Sequence, residues 1–207
     1  MLRGGDTDQL AKGQESDQRG NHLGHKHAWM FLLVNLALLG LGSREADARL
    51  RVTEKTEYFA VSGTSIAELL DSLRRAHSNF DAETHWDVSV NHTWRQSGKT
   101  CRMTSVDVSL KLTVLLPKLA TKVPPDVQAR WDKFLAGVIV HENGHVKLYK
   151  STAKDLDRSL GALSRSCDVF LRDAAAVTQD GYKRMQKAND DYDAETDHGA
   201  KQGGTLF

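Results

Sequence analysis

The 207-residue chain lacks any marked charge imbalance. Its 28 Lys and Arg stand against 27 Asp and Glu, a formal net charge of +1. So even a balance gives no reason to expect nucleic acid or an anionic membrane as partner. The chain also lacks an apolar run of the roughly 20 residues that a membrane span needs. The nearest approach, AWMFLLVNLALLGLG at residues 28–42, is shorter. Cysteine is scarce, with only Cys101 and Cys167. In an oxidising compartment that even pair reads as one disulfide; free buried thiols are the alternative. No internal repeat, Gly-rich phosphate loop or Ser/His/Asp arrangement stands out.

What is present begins with the leader. Residues 1–27 are polar, and Lys26 lies just before the apolar run. Small and polar residues follow it, then Ala46-Asp47-Ala48, an A-x-A cleavage signal. Together these predict a secretory signal peptide cut after Ala48, with an uncleaved short anchor as the alternative. The leader is then residues 1–48 and the folded domain 49–207, secreted or periplasmic, with no stable membrane span in the mature form.

The remaining chain changes period twice. Residues 50–61 end in β-formers and predict a first strand. Ile66, Leu69, Leu70 and Leu73 predict a short amphipathic helix over 65–76, with Thr64 as its cap. Trp86, Val88, Val90, His92 and Trp94 alternate over 85–94, and Val106, Val108, Leu110, Leu112 and Val114 alternate over 101–116. These predict two strands paired antiparallel across a short Gly-containing loop and ended by Pro117. After Pro124-Pro125 a helical period runs through Trp131, Phe134, Val138, His141, His145 and Leu148 toward Leu160. A second helix starts near Asp168, and a polar tail follows from Asn189. The order β-α-β-β-α-α predicts an α+β fold, a small, mainly antiparallel sheet with helices packed on it.

The chemistry is concentrated in His141-Glu142-Asn143-Gly144-His145. Residues i and i+4 of a helix lie one above the other, so two imidazoles can share one metal position. Zn²⁺ lowers the pKa of a bound water, and Glu142, one residue on, can take its proton and later pass it to a leaving amine. That is metal-assisted hydrolysis of an amide bond. The histidines share a stripe with Phe134, Val138 and Leu148, so they face inward and need partners. A satisfied core histidine pair is the plain alternative. Gly144, mid-helix, implies close approach of a strand or substrate backbone.

A catalytic zinc site needs a third protein ligand. Asp155 and Asp157 read as solvent-facing. The tail stretch Tyr192-Asp193-Ala194-Glu195-Thr196-Asp197-His198-Gly199 is the better source. His198 is the expected third ligand, with Asp193 and then Glu195 as alternatives; a solvated acidic tail is the bland reading. Tyr192 is a candidate donor to the oxyanion, or else an ordinary packed tyrosine. His85 and His92 read as framework, and Trp86, Trp94 and Trp131 as core rather than a substrate box. His22, His25 and His27 lie in the leader and are discounted.

Thr84-His85-Trp86-Asp87-Val88, Cys101, Leu116-Pro117, Trp131 and the HENGH motif resemble a bacterial family of domains of unknown function. Its members are described as predicted secreted zinc-dependent proteases. Cys167, Tyr192-Asp193 and Thr196-Asp197-His198-Gly199 complete the resemblance, which covers about residues 50 to 200. It implies export, zinc at His141 and His145, and Glu142 as base. The expectation is a zincin-like metallopeptidase with a peptide or protein substrate. A non-catalytic zinc-stabilised envelope protein and a cell-wall amidase are the alternatives.

Overall fold

A computed structural model describes residues 47–76 and 82–206. The expected polar leader, apolar run and leader histidines lie outside the described residues, and the Ala48 cleavage junction falls at the start of the first strand.

The chain forms strand β1 (Asp47–Val61), helix α1 (Ile66–Ala76), strands β2 (Glu83–Ser97) and β3 (Thr100–Leu119), and helix α2 (Pro125–Gly161). A three-residue strand β4 (Ser164–Ser166), helix α3 (Phe170–Thr196) and a 3₁₀ turn (Ala200–Gln202) follow. This is an α+β fold with a mixed sheet, in the order β1-β3-β2, and β4 also pairs with β3. β2 runs antiparallel to β3, as alternation and the short turn predict, and β4 is antiparallel to β3 as well. β1 runs parallel to β3, from Asp47↔Ser105 to Val61↔Leu119. β4 is an element the sequence reading did not contain.

Pro117 does not end β3, which runs on to Leu119. Among the described residues the β2 pairing stops at Glu83↔Leu115, so the proline's missing N–H costs no bond to β2. The even-numbered β3 residues Val106, Val108, Leu110, Leu112, Val114 and Leu116 are buried, while Asp107, Ser109, Lys111 and Thr113 are more open. That period of two gives the sheet one apolar face. α2 lies across the sheet with α3 beside it. Phe134, Leu156 and Leu160 of α2 and Phe170 and Met185 of α3 are fully or almost fully buried in the same core. Each such side chain contributes about 1.5–3 kcal/mol by leaving water.

Local signals explain the helix ends. At α1, Ser65 Oγ accepts from the Glu68 N–H at 3.3 Å and Glu68 Oε2 accepts from the Ser65 N–H at 3.2 Å, a reciprocal capping box. α2 starts at Pro125, where a missing N–H costs no helical bond. Its 37 residues make a rod of about 55 Å. α3 ends at Thr196, and the left-handed conformation of Asp197 (φ 53°) turns the chain out of the helix.

Two sequence expectations are corrected here. The polar stretch from Asn189 is not a loose tail but the last turns of α3. Ion pairing of Lys187 with Asp191 and a hydrogen bond from Gln186 to Asp190, both at i,i+4, support it. Asp157 is not solvent-facing; it is 8% exposed, whereas Asp155 is exposed. The Cys101–Cys167 disulfide is formed and ties β3 to the segment before α3.

Candidate metal centre

His141 and His145 stand on the inward side of α2, 7% and 6% exposed. Asp193, on the last turns of α3, faces them. His141 Nε2 lies 3.0 Å from His145 Nε2 and 3.2 Å from Asp193 Oδ1, and His145 Nε2 lies 3.0 Å from the same oxygen. Three donor atoms thus form a nearly equilateral triangle. A tetrahedral zinc with bonds of about 2.0–2.1 Å places its ligands roughly 3.3 Å apart, so the triangle has the right size.

The hydrogen bonds around the triangle fix how the His141 ring is presented to it. Thr196 Oγ1 donates to the Tyr192 carbonyl at 2.8 Å, so toward His141 Nδ1, 3.3 Å away, it accepts. Gln202 Oε1 is a second acceptor, 3.1 Å from the same nitrogen. Nδ1 of His141 therefore carries the proton, and a neutral ring then presents a lone pair at Nε2. That lone pair faces the Asp193 carboxylate oxygen, and either a metal ion between them or a second proton on the ring, at Nε2, removes the repulsion. His145 has no such partner at Nδ1, which is buried and unpaired. Burial holds the His145 pKa below the usual histidine range, although Asp193 pulls it up, so its neutral form is favoured.

Asp193 is itself oriented. Tyr149 donates its hydroxyl to Asn189 Oδ1, and Asn189 Nδ2 donates to Asp193 Oδ2 at 3.2 Å. This leaves Oδ1 for the histidines. His198, the expected third donor, is not in the triangle. Its side chain is 79% exposed and its Nδ1 lies 4.0 Å from Asp193 Oδ1. The reason is the helix end. Asp193 is still on the α3 face that meets α2, whereas Asp197 and His198 adopt left-handed conformations beyond it. Glu195 is exposed and also outside the group.

Glu142 is 3% exposed and turned about 100° from His141, toward β2. Thr84 Oγ1 donates to its Oε2 at 2.6 Å. Burial pushes the Glu142 carboxyl up to about 7; the Asp193 and Glu83 carboxylates add to this and the Thr84 hydroxyl opposes it. Tyr192 stacks on His141 with ring centroids 5.2 Å apart. Gln202 Nε2 donates to the Tyr192 hydroxyl at 3.0 Å. Gly144 admits neither strand nor substrate backbone but the Tyr192 ring, whose oxygen lies 1.9 Å from where a Cβ would stand.

Behind the site the chain after α3 folds back on α2. A Cβ at Gly137 would lie 2.3 Å from the carbonyl carbon of Gly203, and one at Gly199 would press on the His141 ring at 3.0 Å. This strap delivers Gln202, which sequence reasoning missed. The other candidates keep their modest roles. His85 is exposed beside Glu83, His92 is half-buried, Trp131 is core and Trp86 is half-buried against Tyr149, whereas Trp94, expected in the core, packs on Phe170 but stays 36% exposed.

The family described as "Bacterial protein of unknown function (DUF922)" matches residues 56–199. The chain belongs to it. No curated protein and no solved structure matches the chain. The DUF922 region contains Thr84, the HENGH helix, Asn189, Tyr192, Asp193, Thr196 and Gly199. It stops before Gln202, so the strap that completes the site lies just beyond the DUF922 match.

Proposed function

We propose that the protein is a zinc-dependent peptidase working outside the cytoplasm. His141, His145 and Asp193 hold the ion, and Glu142 acts as base. The observation that carries this reading is the triangle of three buried donors with a carboxylate on the next residue of the same helix. The disulfide suits an oxidising compartment.

Zinc would supply Lewis-acid activation of water and of the scissile carbonyl. The chain supplies the rest. His141 and His145 bind through Nε2 and Asp193 through Oδ1, held by Gln202, Thr196 and Asn189. Glu142, steadied at one oxygen by Thr84, takes a proton from water with the other and returns it to the leaving amine. The Tyr192 hydroxyl accepts from Gln202 Nε2 at 3.0 Å and donates to Gln202 Oε1 only at the long distance of 3.5 Å, so its proton can turn to the negative charge that develops on the substrate carbonyl.

The test is Glu142→Gln in the zinc-loaded full chain, assayed on casein and on peptidoglycan. The variant should keep one zinc per chain and lose at least about 100-fold in cleavage. Cleavage of peptidoglycan alone makes the enzyme a cell-wall amidase. Hydrolysis at the wild-type rate removes Glu142 as base.

The depth of the donors favours a second reading, a non-catalytic zinc staple between α2 and α3. It expects zinc without hydrolysis of either substrate, and equal losses of thermal stability for His141→Ala and Glu142→Ala.

A further inference from the structure

A second site lies at the tip of the β2–β3 hairpin, on the sheet face away from α3. Trp94 and Met103 are paired across the strands, and Trp94 packs inward on Phe170. Their neighbours Arg95 and Arg102, also directly paired, therefore point to the other face. Ser164 of β4 stands next to Arg102 in the same row. The next row on this face holds Ser97 and Thr100. Arg95, Gln96, Ser97, Thr100, Arg102 and Ser164 line a groove of about 530 Å³ that contains no acidic residue.

Like charges directly opposite in an antiparallel pair are unfavourable. Neither arginine has an ion pair among the described residues. The acids that follow β4 in the chain have other partners, Asp173 with Arg165 and Arg172, and Asp168 with Ser166. The row is also rigid. Cys101 lies between Thr100 and Arg102, and its disulfide to Cys167 fixes β4 beside it. The backbone positions that carry the two arginines are thus fixed side by side before any ligand arrives, which lowers part of the ordering cost of binding.

We propose that this groove binds a phosphate group. Two arginines bring two positive charges in planar forks, with the hydroxyls of Ser97, Thr100 and Ser164 beside them. A phosphate monoester carries about −1.5 to −2 and matches that charge. A carboxylate would leave one arginine uncompensated. The ligand is a phosphorylated small molecule or a phosphate headgroup at a membrane surface.

The experiment titrates the full chain with inorganic phosphate against chloride at equal ionic strength, read by amide shifts. A second arm adds vesicles of phosphatidic acid in phosphatidylcholine. Phosphate should shift residues 95–102 and 164–166 saturably. Affinity should fall at least tenfold in Arg95→Gln/Arg102→Gln and be unchanged in Lys133→Gln, which removes an exposed charge elsewhere. Thermal unfolding of the double variant checks that it folds. Vesicle capture lost in the double variant identifies a lipid headgroup; phosphate binding without capture identifies a soluble ligand. Equal responses to phosphate and chloride, or equal affinities in the double variant and Lys133→Gln, overturn the proposal.

Discussion

Tyr192 occupies the space that a side chain at residue 144 would fill. Its hydroxyl oxygen lies 1.9 Å and its Cζ 2.2 Å from a Cβ built on Gly144. The glycine costs α2 about 1 kcal/mol relative to alanine, and it lets the Tyr192 ring stack on His141. Gly144→Ala should therefore destabilise despite its better helix propensity, by about 1–3 kcal/mol as overpacking does. In the Tyr192→Ala background the same change should become neutral or stabilising. Chemical denaturation of the two single variants and the double variant measures this coupling, and simple additivity would contradict it.

Gln202 reaches the site from the strap and bonds both His141 Nδ1 and the Tyr192 hydroxyl. It sets which nitrogen of His141 keeps the lone pair. Loss of such an outer partner typically weakens metal binding 10–100-fold. Gln202→Leu should weaken zinc by about tenfold, with Thr196 still accepting from Nδ1, and the Gln202→Leu/Thr196→Val pair should lose more. Competition with a chelator of known affinity reads the effect without any substrate.

Much of this was legible in the residues. Alternation from Trp86 to Trp94 and from Val106 to Val114 gave the hairpin, because a half-buried strand must repeat every two residues. HENGH named two of the three clustered donors, because i and i+4 share a helix face, and the buried carboxylate next to them. The third donor was harder. Asp190, Asp191, Asp193 and Glu195 resemble a solvated tail, and only packing against α2 shows that one of them faces inward. The parallel β1–β3 pairing joins strands separated by a helix and another strand, and no local pattern records that. Gln202 left no signal beyond following Gly199 by three residues.

Asp157 of α2 is buried with Oδ1 unpaired. Burial, with the Asp107 carboxylate nearby, raises its pKa above the usual aspartate value. A carboxyl that is harder to ionise in the fold than in the unfolded chain favours folding while protonated. That contribution is complete below the unfolded pKa of about 3.9 and is lost as pH rises through the raised folded value. Asp157→Asn should thus stabilise the protein at pH 7 and make little difference at pH 3.5. Melting temperatures of the variant and wild type at the two pH values give the comparison; an equal difference at both contradicts it.

The central claim is that Asp193, and not the exposed His198, joins His141 and His145 around one zinc. Zinc content after dialysis, for wild type, Asp193→Ala and His198→Ala, tests it most directly. One zinc per chain in wild type and in His198→Ala, with almost none in Asp193→Ala, is the predicted result. Zinc retained by Asp193→Ala and lost from His198→Ala would contradict the account.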